Sequence, residues 1–144
     1  MAGCVMQTFD HVTPECHPAA PALFRVLEAQ ARKDIEMFAA CFDEQLPLFM
    51  NLAGGFQIHS VAEIIERHRA FYASPDFCFT YREPRDGIGN ESFFACSVPV
   101  RVAFPNGSIK NAFIDITLIE HEGHWAPVRF INTVVDSSQV VLHD

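Results

Sequence analysis

Two side chains in this sequence of 144 residues combine a reactive type with an apolar setting. Asp115 stands between Ile114 and Ile116, in a segment that stays apolar as far as Thr117. A carboxylate there either lines a pocket or pairs with Arg101 or Arg129 on a neighbouring strand. Burial would raise its pKa and suit it to act as an acid, a base or a neutral donor. His68 follows Ile64 by four residues, on the apolar side of a helical pattern. Its imidazole is either a satisfied core group or faces a cavity, where it would form an acid/base dyad with Asp115. Tyr72, one turn on, offers a hydroxyl that could orient a ligand. Phe113, Thr117 and Arg129, on the same pair of strands as Asp115, are assigned to ligand contact.

Other constellations point away from metal and nucleophile chemistry. His121-Glu-Gly-His124 has ligand-type residues but sits at a hairpin tip, where alternate residues turn to solvent. It also lacks the HExxH spacing that puts two imidazoles on one helix face, so no metal site is assigned. His11, Cys16 and His17 lie in the N-terminal arm and are not assigned to a metal either. The five cysteines (4, 16, 41, 78 and 96) include no CxxC and read as free thiols in a reducing compartment. Cys78 and Cys96 stand where a hairpin centred near Gly87 could bring them face to face, and they too are expected to be reduced. There is no Gly-x-Ser-x-Gly elbow, phosphate loop or dinucleotide fingerprint, and no cofactor is expected.

The elements that would position these residues can be read from periodicity. Residues 1–18 show no period and read as an irregular arm. Phe24, Leu27, Ala31, Ile35, Phe38 and Phe42 recur at three- and four-residue steps, predicting one long helix over about 20–42 with Pro21 in its first turn. A short strand follows at Leu46–Asn51, closed by Gly54-Gly55. Ser60-Val-Ala-Glu63 has the form of a capping box, opening a helix that ends before Pro75. Beyond residue 76 the period becomes two. Phe94, Cys96, Val98, Val100, Val102 and Phe104 share one strand face, and three or four long antiparallel strands are joined by hairpins that include Asn106-Gly107 and Glu122-Gly123. Helices before strands indicate an α+β domain over 19–137, with a short tail over 138–144 whose Val140-Val-Leu142 could dock.

Composition narrows the class of partner. The formal charge is -8, from 10 Lys and Arg against 18 Asp and Glu, and the bases are scattered. Nucleic acid is therefore not an expected partner, since phosphate binding needs clustered cations. No apolar run approaches the ~18–20 residues of a membrane helix, and Met1–Asp10 lacks a signal-peptide pattern, so a cytoplasmic protein is expected. Hydrophobic residues make up 49% of the chain and Phe alone supplies 14. Such apolar content leaves surface for a pocket and for a partner. Strand 112–120 is apolar on both faces, which predicts a homodimer through the outer face of the sheet.

The layout resembles the nuclear-transport-factor-2-like superfamily, the cone fold of ketosteroid isomerases and SnoaL-like polyketide cyclases. The resemblance runs over residues 20–136. It rests on Phe38-Ala-Ala-Cys-Phe42, Phe49-Met-Asn-Leu-Ala-Gly54, Glu63-Ile-Ile-Glu-Arg-His-Arg-Ala-Phe71, Ser74-Pro-Asp-Phe77 and the hairpin Glu120-His-Glu-Gly-His-Trp125. It implies N-terminal helices packed on a curved, mostly antiparallel sheet around an apolar pocket, and a small apolar or aromatic ligand. Ketosteroid isomerases use a general-base aspartate with a tyrosine and a neutral aspartic acid as oxyanion donors. The resemblance places Asn51 at the base position, where an amide cannot take a proton, and Leu27 at the tyrosine position. Asp115, eight residues before Gly123, keeps the aspartic acid position.

With one group of three retained, steroid isomerisation by that mechanism is not expected. The sequence supports a SnoaL-like binder of a small apolar molecule. One form of it is a cofactor-independent isomerase, cyclase or dehydratase using Asp115 and His68, with Asn51 as an amide donor at the pocket mouth. The alternative is a non-catalytic ligand-binding or dimeric interaction domain.

Overall fold

The computed structural model describes residues 10–51 and 57–139. The arm before Asp10, Cys4, the turn expected at Gly54-Gly55 and the tail after Gln139 lie outside the described residues. In chain order the elements are β1 (Asp10–His11), a 3-10 turn (Pro14–Cys16), α1 (Ala20–Ala31), α2 (Ile35–Ala40), β2 (Phe49–Asn51) and β3 (Gln57–Ile58). There follow α3 (Val61–Ala73), β4 (Cys78–Tyr81), β5 (Arg85–Gly89), β6 (Phe93–Ala103), β7 (Ser108–His121) and β8 (His124–Gln139). The expected α+β architecture is present, and β8 runs two residues past the boundary expected at 137.

The long helix expected over 20–42 is two helices. Lys33 takes a left-handed φ of 57°, which breaks the backbone ladder. Asp34 then caps the second helix, its carboxylate accepting from the Met37 N–H at 3.0 Å. The apolar spacing survives the break because both helices lie on the same core. Lys33 Nζ donates to the carbonyls of Ser74 (2.7 Å) and Phe77 (3.1 Å), fastening the break to the end of α3. That helix begins as expected, with Ser60 Oγ accepting from the Glu63 N–H at 3.1 Å.

All strands join one sheet in the order β1-β5-β6-β7-β8-β2-β3, with β4 also pairing β6. Every pairing is antiparallel except β2 with β8. Shifts of register at Asn111/Ala112 and Thr117/Leu118 bend the long β7–β8 ribbon. Pro99 is tolerated in the interior strand β6 because Tyr81, the last residue of β4, lies opposite Val100 and Arg85, the first of β5, lies opposite Ser97, leaving a gap between them. Its nitrogen faces the gap between those strands, while its carbonyl accepts there from the Arg82 N–H at 2.9 Å. The hairpin at Glu122-Gly123 has φ of 52° and 85°, the primed turn that matches strand twist.

Residues 10–18 are not an irregular arm but are tied to the sheet. β1 pairs β5, and Gly87 is approached so closely that an added Cβ would stand 2.3 Å from the Val12 carbonyl oxygen. His17 is buried and fully engaged: its Nδ1 accepts from the Ala19 N–H (3.0 Å) and its Nε2 donates to the Asn90 carbonyl (2.8 Å). The ring stacks on Phe94 at 4.6 Å, so this histidine staples the arm to the sheet.

The core lies between the helices and the concave face of the sheet. Leu23, Val26, Leu27, Phe38 and Ile64 meet Phe94, Val98, Ile116, Leu118 and Phe130, all fully buried or nearly so. The four described cysteines are free, and Cys78 is exposed while Cys96 is buried, so they do not face each other. Among the described residues no helix is long and apolar enough to cross a membrane.

Candidate functional site

The recurrence of Ile64, His68 and Tyr72 at four-residue steps turns all three inward from α3. His68 is only 4% exposed, with its ring stacked on Phe38 at 4.5 Å and edge-on to Phe71 at 5.6 Å. Its Nδ1 donates to the Ile64 carbonyl at 2.9 Å. That bond fixes the tautomer, leaving Nε2 as an acceptor with no partner among the described residues. Burial pushes the imidazole down to about 4, with the charge of Arg67 adding to it and the Ile64 bond opposing it. The ring is therefore neutral at ordinary pH and a feeble base.

His68 lines a cavity of ≈ 40 Å³ between the helices and the sheet. The walls are Met50, Val102, Ile114 and the rings of Phe71, Phe77, Phe79, Phe104 and Phe130. Two amides complete the lining. Gln30, buried on the apolar side of α1, donates through Nε2 to the Val26 carbonyl at 3.4 Å. Asn132, on β8, donates through Nδ2 to the Asn51 carbonyl at 2.6 Å.

Asn51 is not a ligand donor. Its Oδ1 accepts from the Asn132 N–H at 2.5 Å and its Nδ2 donates to the Asn132 carbonyl at 3.2 Å. The side chain is thereby spent on holding the parallel strand β2 to β8. Asp115 is the larger correction. It is exposed on the convex face, while its neighbours Ile114 and Ile116 are buried on the concave one. The sheet separates it from His68, and no dyad forms. Neither Arg101 nor Arg129 pairs with it, so the expected cation partner is also missing among the described residues.

Phe113, Thr117 and Arg129 share that outer face with Asp115 and do not line the cavity. The Arg85 guanidinium lies 5.3 Å from the Phe113 ring centre, and Arg129 lies 5.3 Å from that of Phe49. Tyr72 is buried among Phe38, His68 and Phe77 but is not part of the cavity wall. Its hydroxyl has no partner among the described residues, and burial pushes its pKa far up.

A second, open groove of ≈ 470 Å³ runs between α1, the end of α2, the start of α3 and the β7–β8 hairpin. Arg25, Phe42, Ile65, His124 and Trp125 line it, together with Cys41. The Cys41 thiol donates to the Met37 carbonyl and burial raises its pKa to about 11, so it is no nucleophile. At the rim, His121 Nδ1 meets the Asp43 carboxylate at 2.9 Å. That bond raises the imidazole and lowers the carboxyl, so His121 serves as a latch between hairpin and helices.

Gln30 and Asn132 were not singled out by sequence reasoning, although a signal existed for Gln30. It follows Leu23, Val26 and Leu27 at helical spacing, a polar residue in an apolar series. Asn132 carries no such signal, because the extra residue at Val128 in the β7–β8 ladder changes the inward parity of β8.

No protein-family model and no curated protein matches the sequence. Solved structures do match in shape. A putative calcium/calmodulin-dependent protein kinase type II association domain from Thiobacillus denitrificans is 11% identical, with a TM-score of 0.66 over 83% of this chain and 95% of that one. A putative scytalone dehydratase from Novosphingobium aromaticivorans is 13% identical, with a TM-score of 0.61 over 83% of each chain. An NTF2-like protein of unknown function from Shewanella baltica is 14% identical, with a TM-score of 0.56 over 85% of this chain and 94% of that one. At such identities the likeness concerns the backbone alone, and in its backbone this chain has the cone-shaped α+β fold of the nuclear-transport-factor-2-like proteins.

Proposed function

We propose that this chain is a non-catalytic binding module that takes a small, mainly apolar molecule into the space beneath its helices. The observation that carries this reading is the lining of the cavity: five phenylalanine rings around buried His68 and Gln30 and half-buried Asn132, none of them charged. Proton-transfer chemistry by Asp115 and His68 is set aside, because the sheet divides the two groups and the imidazole is a feeble base. At ≈ 40 Å³ the cavity is far below the ~300–1,000 Å³ of ligand sites, so a ring enters only when part of the wall moves. Phe71 and Phe104, half-buried and edge to face at 5.6 Å, are the rings with room to move. Titrating benzene into protein carrying labelled methyl groups tests the reading. Resonances of Met50, Val102 and Ile114 should shift; shifts confined to Val61 and Ile65 would move the site to the open groove and overturn it.

A second role, dimerisation, is favoured by the convex face. Phe93, Pro99, Phe113, Ile119 and Ile131 lie half-exposed across β6, β7 and β8, with Asp115 and Arg129 among them. A two-fold contact through this face would cover the apolar row and let opposite charges meet. Light scattering on the full chain should give twice the chain mass, and Phe113→Asp with Ile131→Asp should halve it. A monomer at all concentrations would remove this role and leave the cavity reading untouched.

A further inference from the structure

Every polar side chain on the cavity wall spends a donor on the protein and keeps an acceptor. His68 Nδ1, Gln30 Nε2 and Asn132 Nδ2 each donate to a backbone carbonyl. What remains without a partner among the described residues is His68 Nε2, together with the carbonyl oxygen and the second N–H of each amide, Gln30 and Asn132. His68 is the decisive member, because a neutral imidazole with its one proton committed at Nδ1 can only accept at Nε2. Its plane is set by the stack on fully buried Phe38 and by the Nδ1 bond to the Ile64 carbonyl, so the lone pair has one direction. Among the described residues no lysine or arginine lines the cavity, so a buried anion would find two amide N–H groups but no opposite charge to offset its desolvation.

Resting on the binding reading above, we propose that the cavity selects neutral molecules carrying one O–H or N–H donor, which His68 Nε2 accepts, and rejects the corresponding carboxylates. The ligand class is thus a compact aromatic or aliphatic body with a hydroxyl group, of which phenol is the simplest probe. Arg67 lies near enough for its charge to act on His68 but is not on the cavity wall, so it gives an entering anion no contact. The low basicity of His68 keeps the acceptor unprotonated through the physiological range.

The test compares benzene, phenol and benzoate by calorimetry and by the same methyl resonances. Phenol is expected to bind about tenfold more tightly than benzene, the scale of one hydrogen bond to a buried acceptor, and benzoate not at all. In protein labelled with ¹⁵N-histidine, phenol should move the Nε2 resonance of His68 and leave that of His17 in place. His68→Phe should erase the preference for phenol while retaining benzene; if that variant does not fold, the ¹⁵N titration of the unmodified chain decides alone. Equal binding of phenol and benzene, with no change at Nε2, would overturn donor selection and leave the cavity reading standing. Benzoate binding as well as phenol would overturn it too. If none of the three perturbs Met50, Val102 or Ile114, the cavity reading and the selection fall together.

Discussion

The two faces of the long β7 strand differ in almost every respect, although one residue separates them. On the concave side Ala112, Ile114, Ile116 and Leu118 are buried against the helices. On the convex side Phe113 and Thr117 are half-buried and Asp115 is exposed. A side-chain period of two makes neighbours in sequence strangers in space. A chemical role attached to residue 115 rather than to 114 or 116 therefore depends wholly on parity. The space between the concave face and the helices also holds the neutral polar groups His68, Gln30 and Asn132, whereas the formal charges of Arg85, Asp115 and Arg129 sit outside. The sheet works as a dielectric boundary, and chemistry that needs a charge inside finds none among the described residues of the cavity wall.

This contrast can be broken first by truncation at adjacent positions. Ile116→Ala should lose about 4 kcal/mol of stability in a urea titration, the scale of a large-to-small change in a closed core. Asp115→Ala should stay within about 0.5 kcal/mol. A large loss at Asp115 with little at Ile116 would mean that the faces are reversed.

Next in size is the response to acid. The folded-state pKa of His68 is depressed to about 4 by burial. The unfolded chain therefore binds a proton near pH 6.5 that the folded chain refuses. Stability should be complete above that pH and fall as the pH drops toward 4, by roughly 3 kcal/mol in all. A variant such as His68→Gln should lose this slope, read as the pH dependence of the urea midpoint.

Smaller, and of opposite sign, is Tyr72→Phe. Removing a buried hydroxyl that lacks a partner should raise stability by about 1 kcal/mol, visible as a Tm a few degrees higher. A lower Tm would show that the hydroxyl is engaged after all.

The smallest effect belongs to the outer latch. His121 is raised and Asp43 lowered by their mutual hydrogen bond. The imidazole's contribution is present below its unfolded pKa and disappears as the pH rises through the folded one. The carboxylate's contribution is present above its unfolded pKa and disappears in acid. The latch should thus favour the fold most fully between the two ordinary values, about pH 4 and 6.5. His121→Asn should flatten the alkaline side of the stability profile, which salt should also weaken.

Much of the fold was legible because it rests on periodicity and turn chemistry. The concave series from Phe94 to Val102 and the cap at Ser60 are where the spacing put them. The break at Lys33 was hidden, since a left-handed residue between two helices on one core leaves the apolar period intact. The site was less legible for a reason particular to β7. Phe113 and Ile119 make its outer series nearly as apolar as its inner one, so hydrophobicity alone did not assign Asp115 to a face. The better signal was continuity: the series 112, 114, 116 and 118 contains no polar residue, while the series 111, 113, 115 and 117 contains three. His68 was placed on the inward face because a helix offers only one apolar stripe.

The parallel contact of β2 with β8 spans only two residue pairs, Phe49 with Arg129 and Met50 with Phe130, beyond which the amides of Asn51 and Asn132 continue it. So short a ladder opens at far less than the free energy of global unfolding. Met50 and Asn132 belong at once to this seam and to the cavity wall. The seam is therefore a gate in time as well as a joint in space: its fluctuation sets how often the interior meets solvent. Amide protons of Phe49–Asn51 should accordingly exchange much sooner than those of Ile114–Leu118, and their opening rate is the ceiling on how fast any molecule can enter by this edge.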